Sequence, residues 1–145
     1  MRSEPLMPHD EELLEAAKGV IGRCFRLDWH RVGCALRSKS GRVYTSVNLE
    51  AYVGRAAVCA EPIAVGQAVA AGDADLDVIV SVLHRYDESD PVEFRAGAPC
   101  GICRELLNDY MPVGFVIMPV EGELRRVRVR DLLPERYDRE VGALA

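Results

Sequence analysis

The sequence predicts an α/β protein in which helices are layered on a mixed sheet of about five strands. Three patterns lead there. Residues 10–24 repeat their apolar side chains at the helical period. Short apolar or alternating runs at 32–36, 43–47, 77–82 and 114–118 read as strands. Two further helical segments, 59–71 and 100–110, are interleaved with the later strands. A chain of 145 residues, 49% hydrophobic and 28% charged, has the size and composition of one globular domain, so residues 1–145 read as a single unit.

Taken in order, Asp10 reads as the cap of the first helix, with Glu11 and Glu12 in its first turn. Leu13, Leu14, Ala17, Val20, Ile21 and Cys24 then share one face that packs on a core. Cys24 and Cys34, both inside apolar patterns, read as small core residues. The runs at 32–36 and 43–47 are joined by Ser38-Lys39-Ser40-Gly41 as a hairpin. Residues 59–71 form a nearly all-apolar helix, and Pro62 is tolerated only in a first turn, which starts that helix close to Cys59. Residues 77–82 are a buried strand. A short helix from Cys100 ends at Tyr110, where Met111-Pro112 stops it. An apolar strand follows over 114–118, then a Glu121-Gly122 turn. Arg126 to Arg130 alternates with valine as a half-exposed edge strand whose arginines face solvent.

The formal net charge of −5 argues against a general polyanion binder, so nucleic acid is not an expected partner. The N-terminus lacks an apolar run of signal length, and no stretch approaches the roughly 18 apolar residues of a membrane span. A cytoplasmic location is expected, where thiols stay reduced and clustered cysteines mean metal or catalysis more often than disulfides.

Such a cluster is present: Cys59-Ala60-Glu61, then Pro99-Cys100-Gly101-Ile102-Cys103. Cys100 and Cys103 are one helical turn apart, and Cys59 and Cys100 each fall at a predicted helix start, where free amides favour thiolate. Three thiolates can hold zinc while leaving a fourth corner for water, and Glu61 is placed to move protons on and off that water. Arg104, next to the last cysteine, can offset the negative charge by donating to sulfur. Other readings stand beside this one. The C-x-x-C could be a redox dithiol, a closed structural site could recruit His9, His30 or His84, and Glu61 could be only a helix-start charge.

The pattern C-A-E followed by P-C-x-x-C resembles the zinc-dependent cytidine deaminases. Val32-Gly33-Cys34-Ala35-Leu36 is similar to that family's V-G-A-A-L strand, and Asn48-Leu49-Glu50 stands where its N-x-E does. Cys100 to Leu106 is similar to its C-G-x-C-R-Q-x helix, and Leu132-Leu133-Pro134-Glu135-Arg136-Tyr137 to its closing L-L-P-x-x-aromatic motif. The resemblance implies a three-layer α/β/α sandwich. It implies Cys59, Cys100 and Cys103 as ligands of Zn²⁺ and Glu61 as general acid/base. It also implies Asn48 and Glu50 as the pair binding the ribose 3′-hydroxyl. The small members are commonly homotetramers, which implies a homo-oligomer here, with Tyr137 able to reach a neighbouring subunit.

The implied function is hydrolytic deamination of an amino-pyrimidine nucleoside, of the cytidine or deoxycytidine type, in pyrimidine salvage. Ala60 and its neighbours would bind the base through backbone amides. Where the family usually places a phenylalanine that stacks on the pyrimidine, this chain has His30, which can also stack but adds a titratable donor. The stretch from Ala51 to Arg55 differs from the usual N-A-S-Y, and a polar loop over 85–98 separates the two cysteine motifs. Two alternatives follow: a deaminase of blasticidin S or another aminated heterocycle, and a non-catalytic zinc-stabilised module that binds a nucleoside without turnover.

Overall fold

The computed structural model describes residues 1–85 and 93–139. Strand β1 (Ser3–Glu4) precedes helix α1 (Pro8–Cys24), the hairpin strands β2 (Val32–Ser38) and β3 (Val43–Val47), and helix α2 (Ala60–Ala70). Strands β4 (Leu76–His84) and β5 (Phe94–Gly97), helix α3 (Gly101–Tyr110), and strands β6 (Phe115–Val120) and β7 (Glu123–Arg128) follow. One mixed sheet runs β1-β7-β6-β4-β2-β3, with β5 also paired to β4. Only β4 and β6 are parallel.

The layers follow from strand alternation. Val78, Val80 and Val82 point to α1 and pack with Leu13, Leu14, Ala17 and Ile21. Cys34, Leu36 and Ile79 face the other way and pack with Ala60, Ala64, Ala68 and Leu107 of α2 and α3. The expected α/β/α sandwich is therefore present, with seven strands where about five were expected. The two extra strands are short: β1 has two residues and β5 has four, too few for a periodic signal.

Alanine and glycine let α1 sit close on the sheet. A Cβ on Gly33 would lie 2.4 Å from the Ala17 carbonyl oxygen and 2.8 Å from Ile21 Cβ. Backbone cannot yield as a flexible side chain can, so Gly33→Ala is expected to destabilise by about 2 kcal/mol. Urea unfolding should show a lowered midpoint with an unchanged slope.

Several expectations are corrected. Helix α1 begins at Pro8, so Asp10 is its third residue and not its cap; the Met7 amide donates to Asp10 Oδ2 at 2.8 Å. Asp10 is fully buried and accepts from Arg37 Nη2 at 3.1 Å and Arg126 Nη1 at 3.3 Å. Strand β7 is not an edge, because β1 pairs with it through Ser3↔Val127 and Glu4↔Arg126. Nor are its arginines a solvated stripe, although Arg130, just past the strand's end, is exposed as expected. Arg126 is buried, with its guanidinium 4.3 Å from the Phe115 ring centre, and Arg128 lies 4.5 Å from the same ring. Cys24 is exposed, whereas Cys34 is buried as expected. Of the expected loop over 85–98, residues 94–97 are β5; Tyr86 to Asp90 lie outside the described residues.

Candidate active site

Two helix starts meet at the cysteines. Cys59 and Cys100 are the N-cap residues of α2 and α3, both with extended backbone, and Cys103 is one turn further and buried. Strand β5 leads directly into the second motif, so its pairing with β4 sets where α3 begins. On the other side, Ser46 Oγ donates to the Ala60 carbonyl at 2.6 Å and ties the first turn of α2 to β3.

The sulfurs of Cys59 and Cys100 are 3.6 Å apart, and all three lie within 4.8 Å of one another. Tetrahedral zinc with bonds of about 2.3 Å spaces its sulfurs by roughly 3.8 Å. The donor set and its spacing therefore fit zinc. Among the described residues, no histidine, aspartate or glutamate joins this group. The closed structural site with His9, His30 or His84 has no support in this arrangement.

Glu61 is the second residue of α2, yet it is only 6% exposed, so it is no surface helix charge. The Cys103 thiol donates to its Oε2 at 3.5 Å. Burial, then the Glu61 and Cys59 charges, push the Cys103 thiol well above its ordinary pKa. Burial and the bond with Cys100 also raise Cys59. Cys100 is buried enough to be pushed up, but amides of Cys103 and Ile102 and the neighbouring sulfurs outweigh that and leave it lowered. Three sulfurs with such unlike proton affinities share one small volume, and a divalent cation offsets their mutual repulsion.

A cavity of about 320 Å³ opens beside them, with Cys59, Ala60, Glu61 and Cys100 in its wall together with Asn48 and Glu50. A larger surface hollow, about 1150 Å³, is lined by Arg2, Arg128, Arg130 and Arg136 and holds none of these groups. The candidate site residues line the smaller one.

Asn48 Oδ1 accepts from the amides of Arg31 (2.8 Å) and Val32 (2.9 Å), while Nδ2 donates to the Trp29 carbonyl at 3.2 Å. Glu50 Oε1 accepts from the Ala51 amide at 3.0 Å. His30 is not part of the cavity wall: its Nδ1 donates to the Asn48 carbonyl at 2.8 Å, and its ring meets Trp29 edge-on, 6.5 Å away. Arg104 does not donate to a sulfur. It donates to the carbonyls of Pro99 (2.9 Å) and Leu132 (3.1 Å), fixing the peptide before Cys100 against the turn after β7. Tyr137 is exposed and outside the cavity.

Sequence reasoning passed over the sheet beneath the site. Cys34, Ser46 and Ser81 lie in one row across β2, β3 and β4, on the face that carries α2. A single serine inside the apolar run of β4 was the available signal.

The description "Cytidine and deoxycytidylate deaminase zinc-binding region" matches residues 7–118 of the chain. Blasticidin-S deaminase of Bacillus cereus is 40% identical over 139 residues, which is 96% of this chain and 99% of that protein. The crystal structure of cytidine deaminase from Burkholderia pseudomallei is 28% identical with a TM-score of 0.70, covering 91% of this chain and 100% of the other. That from Mycobacterium leprae is 25% identical with a TM-score of 0.71, covering 89% and 100%. The cysteine triad sits in the sandwich those enzymes share, and the chain belongs to the zinc-binding family of cytidine and deoxycytidylate deaminases.

Proposed function

We propose that this deaminase hydrolyses the amino group of a pyrimidine nucleoside of the cytidine or deoxycytidine type, releasing ammonia. The observation that carries the reading is the placement of a buried carboxylate, Glu61, against the cysteine triad in the wall of one cavity. Cys59, Cys100 and Cys103 would hold the zinc, whose Lewis acidity makes water an adequate nucleophile near neutral pH.

The residues do the rest. Glu61 takes a proton from the attacking water and passes it to ring N3, which makes C4 electrophilic. Once the C4–O bond has formed, Glu61 takes the remaining proton from the new C4 hydroxyl and gives it to the exocyclic nitrogen. C4=O then forms, the C–N bond breaks and ammonia leaves, while N3 keeps its proton. First-turn amides of α2, that of Ala60 among them, have no partners within the helix and serve the base. Glu50 keeps Oε2 for a sugar hydroxyl, and Asn48 keeps one amide hydrogen. His30 acts through Asn48, whose carbonyl it holds. Arg104 acts on the peptide carbonyl before Cys100 instead of on sulfur.

The same site suits a second reading, deamination of blasticidin S, whose reacting group is also an aminated pyrimidine. The 40% identity to the Bacillus cereus protein supports it. A panel of cytidine, deoxycytidine, cytosine, blasticidin S and aminated purines, scored by ammonia release from zinc-loaded protein, separates the two. Turnover of blasticidin S with little of cytidine favours the second. No ammonia from any compound, with zinc bound stoichiometrically, overturns both and leaves a binding module.

The enzyme would work in the cytoplasm, where the thiols stay reduced, in pyrimidine salvage on the first reading. No helix among the described residues is long and apolar enough to cross a membrane. Association into a homo-oligomer, a homotetramer on the family resemblance, is supported by exposed apolar side chains: Leu49 and Val58 in the cavity wall, and Tyr52, Val53 and Ile102 elsewhere on the surface.

A further inference from the structure

We infer that Ser81 is a specificity-determining residue, whose hydroxyl accepts a hydrogen bond from the exocyclic amino group of the substrate. The inference rests on the aminopyrimidine reading above and adds a residue to it.

Three observations carry it. First, Ser81 is in the cavity wall, and strand alternation turns its side chain toward α2 while Val82 turns toward α1. Second, Ser81 is 8% exposed, and its Oγ has no nitrogen or oxygen partner; the Cys34 thiol alone lies within its reach. Only Arg126 Nε shares that state among buried side-chain nitrogens and oxygens of the described residues. A hydroxyl closed off from water with only a thiol beside it is costly to keep, so a stronger partner that arrives with a ligand explains it. The nearby Cys34 is a poor substitute. Burial and the Glu61 charge keep it a thiol, a weak hydrogen-bonding group.

Third, the register places Ser81 at the reacting side of the cavity. Its β2 neighbour is Cys34, which feels the Glu61 charge, and its β5 neighbour is Gly97, which leads into the Pro99-Cys100 turn. The amino group must lie on that side for Glu61 to protonate it as it leaves. Rotation about the one side-chain torsion of Ser81 brings its oxygen round to the cavity face. There it accepts from the amino N–H that does not face Glu61, without taking part in proton transfer.

A comparison of two ligands on one protein tests this. Calorimetry on the zinc-loaded Glu61→Gln protein, with and without Ser81→Ala, measures binding without turnover. The probes are cytidine and the pyrimidin-2-one ribonucleoside, which lacks the amino group. Ser81→Ala should weaken cytidine roughly tenfold and leave the second probe within about twofold. Ser81→Cys, of similar size but a weak acceptor, should weaken cytidine in the same selective way. Equal losses for both probes, no loss for either, or no binding of either by the serine protein overturns the inference. A wild-type protein that releases no ammonia while the selective loss persists sinks the deaminase reading instead. Zinc content and melting temperature should match across the variants, which a merely structural serine would not ensure.

Discussion

Glu61→Gln is expected to abolish ammonia release while zinc stays bound. The amide has the shape of the carboxylate and can occupy the same buried place in the cavity wall, but it can neither take nor give a proton. A general acid or base contributes roughly 10²- to 10⁴-fold, and here one group moves protons at both N3 and the leaving nitrogen. A loss of at least about a thousandfold in kcat follows. Zinc should be held no less tightly, because the Glu61 charge raises both the Cys103 and the Cys59 thiol and its removal eases their ionisation. Ammonia release paired with elemental analysis of the purified variant reads both outcomes. Turnover within tenfold of wild type, with zinc in place, would mean that the proton shuttle is another group.

The site was legible because its parts lie close along the chain. Cys59 and Glu61 share one helix start and Cys100 and Cys103 another, so spacing alone carried most of the local geometry. What spacing did not carry was how the two starts meet, and the family resemblance supplied that. The hairpin of β2 and β3, the buried strand β4 and all three helices were likewise visible as runs of one period.

The misses share a cause. Arg126 looked like one of a row of alternating surface charges because its partner, Asp10, is 116 residues away. Strand β1 has no pattern of its own and exists because β7 offers an edge. Arg104 was expected on sulfur because it follows Cys103, but a long side chain reaches the nearest unpaired carbonyls, and those belong to Pro99 and Leu132. Ser81 was a single letter in an apolar run, and only the pairing of β4 with β2 and β5 places it in the wall of the cavity that Glu61 lines.

Asp10→Ala is expected to destabilise the fold by about 3–5 kcal/mol. The sequence reading of Asp10 as a helix cap leads to a much smaller effect, about 1 kcal/mol, so the measured value discriminates between the two. The larger figure follows from what remains after the carboxylate is gone. Arg126 is 4% exposed, its Nε already has no partner, and its Nη1 would lose Asp10 Oδ2. The Phe115 ring at 4.3 Å offers a cation–π contact worth about 2 kcal/mol when desolvated, less than the several kcal/mol that burying an unpaired guanidinium costs. Arg37 suffers less, since it keeps Asp77 Oδ2 at 3.4 Å and the His9 carbonyl at 2.9 Å. The penalty is therefore concentrated on Arg126, and removing that charge should relieve it. Asp10→Leu combined with Arg126→Met is expected to recover most of the loss, because a buried ion pair is often replaceable by apolar groups of similar volume. Urea unfolding of the single and double variants checks this. A double variant no more stable than Asp10→Ala would place the cost on the Met7 amide and Arg37 instead, where the carboxylate also closes the first turn of α1.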